Sequence, residues 1–131
     1  MSLLYYVFGL FVAGPFIEWW IHYTIHKPPP LVYHKNHHLA YYKKDPIYEI
    51  WVIPVIYFLY LLGCYIAALG FAKYTVVHNL IHYFPGLFPK LTRHHQIHHE
   101  NPKVNFAVSA TFPDTFFNTR SKYFPSELKK I

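Results

Sequence analysis

Residues 78–99 read HNLIHYFPGLFPKLTRHHQIHH, and six of these positions are histidine. A second stretch with similar spacing, HYTIHKPPPLVYHKNHH, covers residues 22–38. Together the two stretches hold all eleven histidines of the 131-residue chain. Spacings of three and four residues place side chains on one face of a helix about a turn apart. Both stretches therefore predict helices that present imidazoles as chelating pairs for a metal.

Two of the histidine groups end in an adjacent pair, His37 with His38 and His98 with His99. Neighbouring residues on a helix point about 100° apart, so the members of a pair do not easily hold the same ion. The pairs therefore indicate two metal ions. Ten imidazoles divided between two ions give about five each, which leaves one position of an octahedral site open for oxygen or water. That arrangement is typical of a catalytic site and unlike a closed structural zinc site.

The residues alone do not decide which metal binds. Imidazole suits iron, copper, nickel and zinc, and by the Irving–Williams order zinc binds at least as tightly as ferrous iron. Core histidines, a low-complexity tract or a pH sensor are the explanations without a metal, and they match four groups of related spacing poorly. The single cysteine, Cys64, lies in an apolar run, which excludes a disulfide framework and a cysteine-based zinc site.

The composition is that of a membrane protein, because 53% of the residues are hydrophobic and only 14% are charged. Residues 1–21 contain one charge, Glu18, and about 20 helical residues cross the ~30 Å hydrocarbon layer. Trp19 and Trp20 near the end of this run suit the aromatic belt at a membrane surface. The net charge is +6, but Lys and Arg are scattered between apolar runs, which argues against binding to nucleic acid.

The second apolar run, residues 50–72, contains no charged residue. A single crossing there would leave the two halves of the histidine set on opposite faces of the membrane. We therefore expect a helical hairpin between Asp45 and Val77 that turns near Gly63. Eleven of the twelve Lys and Arg then become cytoplasmic, as the positive-inside rule requires, and only Lys73 lies near the end of the hairpin. Two helices of about 15 residues reach about 22 Å each, so a re-entrant hairpin is the alternative.

The sequence thus predicts one all-α domain over residues 1–131. Its architecture is an integral membrane helical bundle, with one N-terminal span, a short helical hairpin and a cytoplasmic histidine-rich helical cap.

Two carboxylates are candidates for supporting the metal ligands. Glu18 lies four residues before His22 at the end of an apolar run, where an ionisable side chain is costly. It can accept the second ring N–H of His22 or of a neighbour and so fix the tautomer of the imidazole. The alternative is a helix-end residue whose carboxylate reaches interfacial water. Asp114 is the second candidate for a supporting carboxylate.

The histidine groups follow the order HxxxH, HxxHH, HxxxH, HxxHH, which resembles the fatty acid hydroxylase and sterol desaturase superfamily. The matching residues are His22 and His26; His34, His37 and His38; His78 and His82; and His95, His98 and His99. Residues 91–119, LTRHHQIHHENPKVNFAVSATFPDTFFNT, are similar to the end of fatty acid 2-hydroxylases, with Asp114, Phe117 and Thr119 in the corresponding places. The resemblance implies that these ten histidines are metal ligands and that His94 is an extra histidine.

The resemblance also implies two iron ions at the cytoplasmic face of the membrane, which use dioxygen to hydroxylate a fatty acyl or sphingolipid chain. An aliphatic C–H bond requires a redox metal and activated dioxygen, because no side-chain acid, base or nucleophile attacks it. Zinc is the expected substitute in purified protein. The implied electron donor is a b-type cytochrome, or a ferredoxin with its reductase. Since the sequence lacks an HPGG haem motif, we expect a separate donor. An endoplasmic reticulum or a bacterial inner membrane fits equally well.

Three other functions stay open at this point. A carotenoid ring hydroxylase uses similar boxes, although its third box usually has one more residue than the three between His78 and His82. A lipid desaturase shares the same metal chemistry and differs in how the substrate hydrogens are positioned. A membrane protein that binds or transports metal predicts ionisable groups along a path across the bilayer, and the apolar runs contain almost none.

Overall fold

The computed structural model describes residues 2–28, 32–39 and 52–122 of the chain. Every regular element within these ranges is a helix, which confirms the predicted all-α class. In chain order the elements are α1 (Leu3–Phe8), a π-helical turn (Gly9–Ala13), α2 (Gly14–Ile25), α3 (Val32–Leu39), α4 (Val52–Leu61), α5 (Tyr65–Tyr83), α6 (Pro89–Glu100) and α7 (Phe112–Phe116).

The first three elements form one continuous helix, Leu3–Ile25, of 23 residues. Among the described residues it is the one helix that is long and apolar enough to cross a bilayer. The π-helical turn ends directly before Gly14 and Pro15. Proline has no N–H to donate to the preceding turn, and the wider π turn accommodates this missing hydrogen bond. The helix therefore continues through Pro15 toward the first histidines.

Helix α5 packs closely against the π-helical turn of the first helix. A methyl group on Gly9 would lie 2.6 Å from Cγ2 of Ile66. The absence of a side chain at residue 9 therefore permits the close packing of the two helices. The Nζ atom of Lys73 donates a hydrogen bond to the carbonyl oxygen of Leu10 at 2.5 Å. These contacts align α5 beside the first helix, so that the histidines near the ends of both helices come together.

The second apolar run forms a helical hairpin that turns at Gly63, as expected. Gly63 has a φ of +73°, a left-handed conformation that glycine adopts without strain, and α4 and α5 pack together on either side of it. Of the first arm the structure describes α4, Val52–Leu61, and the second arm, α5, has 19 residues. The expected end of the hairpin at Val77 is wrong, since α5 continues as far as Tyr83. The expected beginning at Asp45 lies outside the described residues.

Trp19 belongs to a small buried core and not to an aromatic belt, so that interpretation of Trp19 is wrong. Its side chain is only 5% exposed and packs with Phe106 and Ala107, while the ring of Tyr23 stacks on it. The indole N–H donates a hydrogen bond to Asp114, which explains how tryptophan is buried at this position. Trp20, in contrast, is exposed.

Large apolar side chains are exposed along α1 and α4, among them Leu3, Leu4, Phe8, Tyr57 and Phe58. Soluble monomers rarely expose apolar surface on this scale. Together with the apolar helix Leu3–Ile25, this surface suggests a membrane protein. Insertion of the hairpin and the cytoplasmic orientation of the cap remain predictions.

Candidate metal centre

Ten of the eleven histidines gather into two groups of five, each with its ligand atoms within 4.8 Å of one another. Cluster one consists of His22, His26, His34, His38 and His98. Cluster two consists of His37, His78, His82, His95 and His99. These are the ten histidines that the sequence selects as candidate ligands. The geometry brings every one of them into a site that can hold a metal ion.

Each of four chain segments supplies a chelating pair four residues apart. His22 at the end of α2 and His26, which caps it, join cluster one, as do two residues of α3. Helices α5 and α6 supply the corresponding pairs of cluster two. The spacing i, i+4 places both imidazoles of a pair on the same helix face, so that they meet at one point.

The remaining member of each HxxHH group crosses to the other cluster. In α3, His34 and His38 belong to cluster one, whereas His37 belongs to cluster two. In α6 the relation is reversed, because His98 crosses to cluster one. The adjacent pairs are therefore divided between the clusters, as the 100° angle between helical neighbours predicts. Each half of the histidine set thus contributes one side chain to the cluster that the other half mainly forms.

The distances between ring nitrogens fit one octahedral ion in each cluster. The Nε2 atom of His34 lies 2.9 Å from that of His22 and 2.8 Å from that of His26. In cluster two, Nε2 of His95 lies 2.7 Å from that of His78 and 3.1 Å from that of His82. Neighbouring ligands of an octahedral ion with bonds of about 2.1 Å lie about 3 Å apart, and opposite ligands lie about 4.2 Å apart.

Hydrogen bonding does not explain these contacts. Nε2 of His34 lies within 3.2 Å of three other Nε2 atoms, those of His22, His26 and His38. An imidazole nitrogen has either one N–H or one lone pair in the ring plane, so it makes one good hydrogen bond and not three. Convergence of several Nε2 atoms on one point is instead what a shared metal ion requires. The donor set therefore fits a metal in each cluster.

Burial keeps these imidazoles neutral, which is the form that binds a metal. In cluster one, removal from water lowers the pKa of His26 to about 4 and the pKa of His38 to about 3. In cluster two it lowers the pKa of His78 to about 3 and the pKa of His82 to about 2. The pKa of His95 also falls well below its ordinary value because the ring is buried. At neutral pH the clusters accordingly offer lone pairs rather than charges.

Backbone carbonyls fix the tautomer of two ligands in cluster one. His22 Nδ1 lies 2.5 Å from the carbonyl oxygen of Phe106, and His98 Nδ1 lies 2.7 Å from that of Val104. A carbonyl oxygen only accepts hydrogen bonds, so each Nδ1 must carry the proton. The Nε2 lone pairs of both rings are then free to bind a metal, and both rings are held in orientation.

Asp114 holds the loop that carries the Phe106 carbonyl. Its buried carboxylate accepts five hydrogen bonds: Trp19 Nε1 (2.9 Å), Phe106 N (2.9 Å) and Thr119 Oγ1 (2.7 Å) donate to Oδ1, and Ala107 N (2.8 Å) and His94 Nε2 (2.8 Å) donate to Oδ2. Burial alone would raise the pKa of Asp114, but the hydrogen bonds from His94, Thr119 and Ala107 outweigh it, and the pKa is lowered. Asp114 therefore supports His22 indirectly, through the backbone of Phe106.

Glu18 also holds this loop. Contrary to expectation, its carboxylate makes no hydrogen bond to His22. Its Oε1 atom accepts hydrogen bonds from the backbone N–H groups of Val108 (2.6 Å) and Ser109 (2.8 Å). The Nδ1–H group of His22 instead donates a hydrogen bond to the carbonyl oxygen of Phe106. Glu18 and Asp114 together bind the four consecutive N–H groups of residues 106–109.

Asn105 is a site residue that the sequence did not reveal. It has a φ of 56°, in the left-handed region, which asparagine tolerates better than most residues. Its side chain donates to the carbonyl of His94 and accepts a hydrogen bond from the backbone N–H of Ser121. Asn105 lies between Val104 and Phe106 in the chain. The carbonyls of these two neighbours accept hydrogen bonds from His98 and His22.

His94, the extra histidine, lies outside both clusters and bonds Asp114. We expect His94→Ala to retain both metal ions and to destabilise the protein by about 1–3 kcal/mol, because a hydrogen bond to a buried charge is lost. His95→Ala, the matched neighbour in cluster two, should lose metal. Metal analysis and thermal unfolding of the two variants check this. Equal metal loss in both variants would show that His94 is itself a ligand.

An apolar cavity of about 380 Å³ runs between the first helix and α5 and reaches cluster one. One end lies at the hairpin turn, beside Gly63 and Tyr65. At the other end it is lined by His22 of cluster one and by Tyr74, whose ring lies 5.2 Å from that of His78 in cluster two. The cavity therefore extends from the hairpin turn to cluster one and to a tyrosine that neighbours cluster two.

Comparison with known proteins identifies one family. The model of the family described as fatty acid hydroxylase matches residues 7–119 of the chain. This range includes both clusters, the loop that supports cluster one and the two carboxylates. No curated protein and no solved structure matches the chain.

Proposed function

Because this chain belongs to the fatty acid hydroxylase family, we propose that it is a membrane-bound non-haem di-iron monooxygenase that hydroxylates a lipid chain. The proposed substrate is a fatty acyl lipid or a sphingolipid. The observation that carries the proposal is the pair of five-histidine clusters at the end of an apolar cavity. Such a site combines two redox metals with space for a hydrocarbon.

Iron is the proposed metal because of the bond that is attacked. When bound, a pair of iron ions would bind dioxygen and supply the electrons that activate it for attack on an aliphatic C–H bond. Zinc has no redox chemistry, although its affinity for imidazoles makes it the expected contaminant of purified protein. The five histidines of each cluster would hold the ion, and neutral imidazoles would leave its positive charge uncompensated.

The residues of the chain contribute position and the exclusion of water. The carbonyls of Phe106 and Val104 hold the rings of His22 and His98 with their Nε2 atoms directed at cluster one. Apolar residues of α2 and α5 line the cavity, so a hydrocarbon chain displaces water when it enters. Since His22 and Tyr74 line the cavity, a bound chain would lie against a histidine of cluster one and against the tyrosine beside His78 of cluster two.

A closer relation to fatty acid 2-hydroxylases is part of this proposal. Its support is the segment of residues 91–119, in which Asp114 and Thr119 match the ending of those enzymes. Both residues take part in holding the loop of Phe106, and Thr119 Oγ1 donates to Asp114 at 2.7 Å. The matching residues thus have a role in the site.

The electron donor and the location follow from the same proposal. We expect a separate b-type cytochrome, or a ferredoxin with its reductase, to deliver electrons at the cytoplasmic face. The membrane is that of the endoplasmic reticulum or the bacterial inner membrane. The family and the apolar helix Leu3–Ile25 support a membrane location.

Isotopically labelled dioxygen tests the reaction. Iron-loaded protein is incubated with host lipids, a chemical reductant and labelled dioxygen, with metal-free protein as the control. We expect label in the new hydroxyl group of a lipid, and none in the control. Hydroxyl oxygen that comes from water, or no product from the iron-loaded protein, would contradict the proposal. An unsaturated product without label would identify a desaturase.

A further inference from the structure

Gly70 lies in the interior of α5, where the backbone conformation does not require glycine. Glycine is among the least favourable residues in a helix interior, and Gly70 does not have the positive φ seen at Gly63. Nor is it needed for close packing: a methyl group on Gly9 would meet Ile66 at 2.6 Å, whereas no described atom lies within 4 Å of a methyl group placed on Gly70. What Gly70 provides is empty space.

That space belongs to the apolar cavity, because Gly70 is one of the residues that line it. The cavity follows the two helices from Gly63 and Tyr65 at the turn to His22 and Tyr74 at the clusters. Its volume of about 380 Å³ and its elongated, apolar walls suit one hydrocarbon chain and are too small for a helix of another protein.

Gly70 also lies at a fixed distance from the reacting centre. Tyr74 follows it by one turn of α5, and His78 of cluster two follows by two turns, which is about 12 Å along the helix. A side chain at position 70 would therefore narrow the cavity at that depth without touching either cluster.

We propose that Gly70 determines how much hydrocarbon chain the cavity accepts beyond the reacting carbon. The inference rests on the proposed lipid hydroxylation. It makes position 70 a determinant of chain-length specificity, distinct from the residues that hold the metals. A chain long enough to pass Gly70 is bound along the cavity toward the hairpin turn, and a shorter chain ends before it.

The first test is the chain length of the product. Gly70→Leu should lower the ratio of long-chain to medium-chain hydroxylated lipid by about tenfold or more, since small changes in a hydrophobic pocket change specificity by that factor. Gly70→Ala should shift it less, in the same direction. Leu69→Phe enlarges the neighbouring exposed side chain outside the cavity and should leave the ratio unchanged. An unaltered product distribution in Gly70→Leu with normal metal content would overturn the inference.

A second test requires no turnover. Long-chain and medium-chain fatty acids that carry a diazirine at the chain end are photo-crosslinked to the full-length protein, and the labelled residues are mapped by mass spectrometry. We expect the long-chain probe to label the region of Ile66 and Ala67 in the wild type and Leu69→Phe, and to lose this labelling in Gly70→Leu. The medium-chain probe should label all variants alike. Long-chain labelling that persists in Gly70→Leu would overturn the inference.

The two tests separate the inference from the proposed function. Crosslinking that depends on position 70 without any hydroxylated lipid would support the chain-binding role of the cavity and refute the hydroxylase. Hydroxylated lipid with the same chain lengths in every variant would support the hydroxylase and refute the role of Gly70. If Gly70→Leu does not fold, Gly70→Ala decides by the presence or absence of the smaller shift.

Discussion

Alanine at His98 or at His37 is expected to remove one of two bound metal ions and to abolish lipid hydroxylation. Each is the histidine that crosses from its own helix to the other cluster. Loss of either leaves four ligands in one cluster and all five in the other. Since loss of a residue that merely supports a ligand costs about 10–100-fold in metal affinity or activity, loss of a ligand should lower activity by at least about 100-fold.

Metal analysis and lipid profiling of a host that expresses each variant measure this effect. The expected metal content falls from about two ions per chain to about one in both variants, and the hydroxylated lipid of the wild type disappears. His94→Ala is the matched control, because it removes a neighbouring histidine that bonds Asp114 and not a cluster. Retention of both metals in His98→Ala and in His37→Ala would mean that the crossing histidines are not ligands.

The second large effect is expected from Asp114→Ala, which should destabilise the protein by about 3–5 kcal/mol. The buried carboxylate accepts five hydrogen bonds, and its removal leaves the backbone N–H groups of Phe106 and Ala107 without an acceptor. The Trp19 indole would keep only Thr119 Oγ1 as its acceptor. In a chain of this size the melting temperature should fall by roughly 10 °C or more. Thermal unfolding in detergent measures the change.

Asp114→Asn is the matched variant, because the amide keeps one acceptor oxygen and nearly the same shape. Its NH₂ group would face either the donors on Oδ1 or those on Oδ2, so we expect a smaller but clear loss of stability. Both variants should also bind the metal of cluster one more weakly than that of cluster two, since Asp114 acts through Phe106 on His22. A melting temperature unchanged in both variants would refute the role of the five hydrogen bonds.

The candidate metal centre could be predicted from the sequence more completely than the rest of the molecule. Pairs such as His78 and His82 lie on one helix face by spacing alone, and the division of His37 from His38 follows from the angle between helical neighbours. The turn at Gly63 follows from the requirement that the histidines of both halves meet on one side. These features depend on local geometry, which sequence reports directly.

The support of the ligands was less predictable, because it depends on backbone groups. Every residue has a backbone carbonyl, so the residue types at positions 104 and 106 do not show that the carbonyls of Val104 and Phe106 orient histidines. The position of Glu18 at the end of an apolar run marks it as unusual, yet its partners are N–H groups of residues 108 and 109, distant in sequence. The sequence around Trp19 predicts a membrane surface because its acceptor, Asp114, lies 95 residues away in the chain.

The metal content of the wild-type protein tests most directly whether the two histidine clusters form a dinuclear centre. Full-length protein is purified in detergent, loaded with ferrous iron without oxygen and freed of excess metal, and iron is measured against protein. X-ray absorption at the iron edge then counts the nitrogen ligands. The two clusters predict two ions per chain with about five histidine nitrogens each. One ion or none per chain in folded protein would contradict a dinuclear centre.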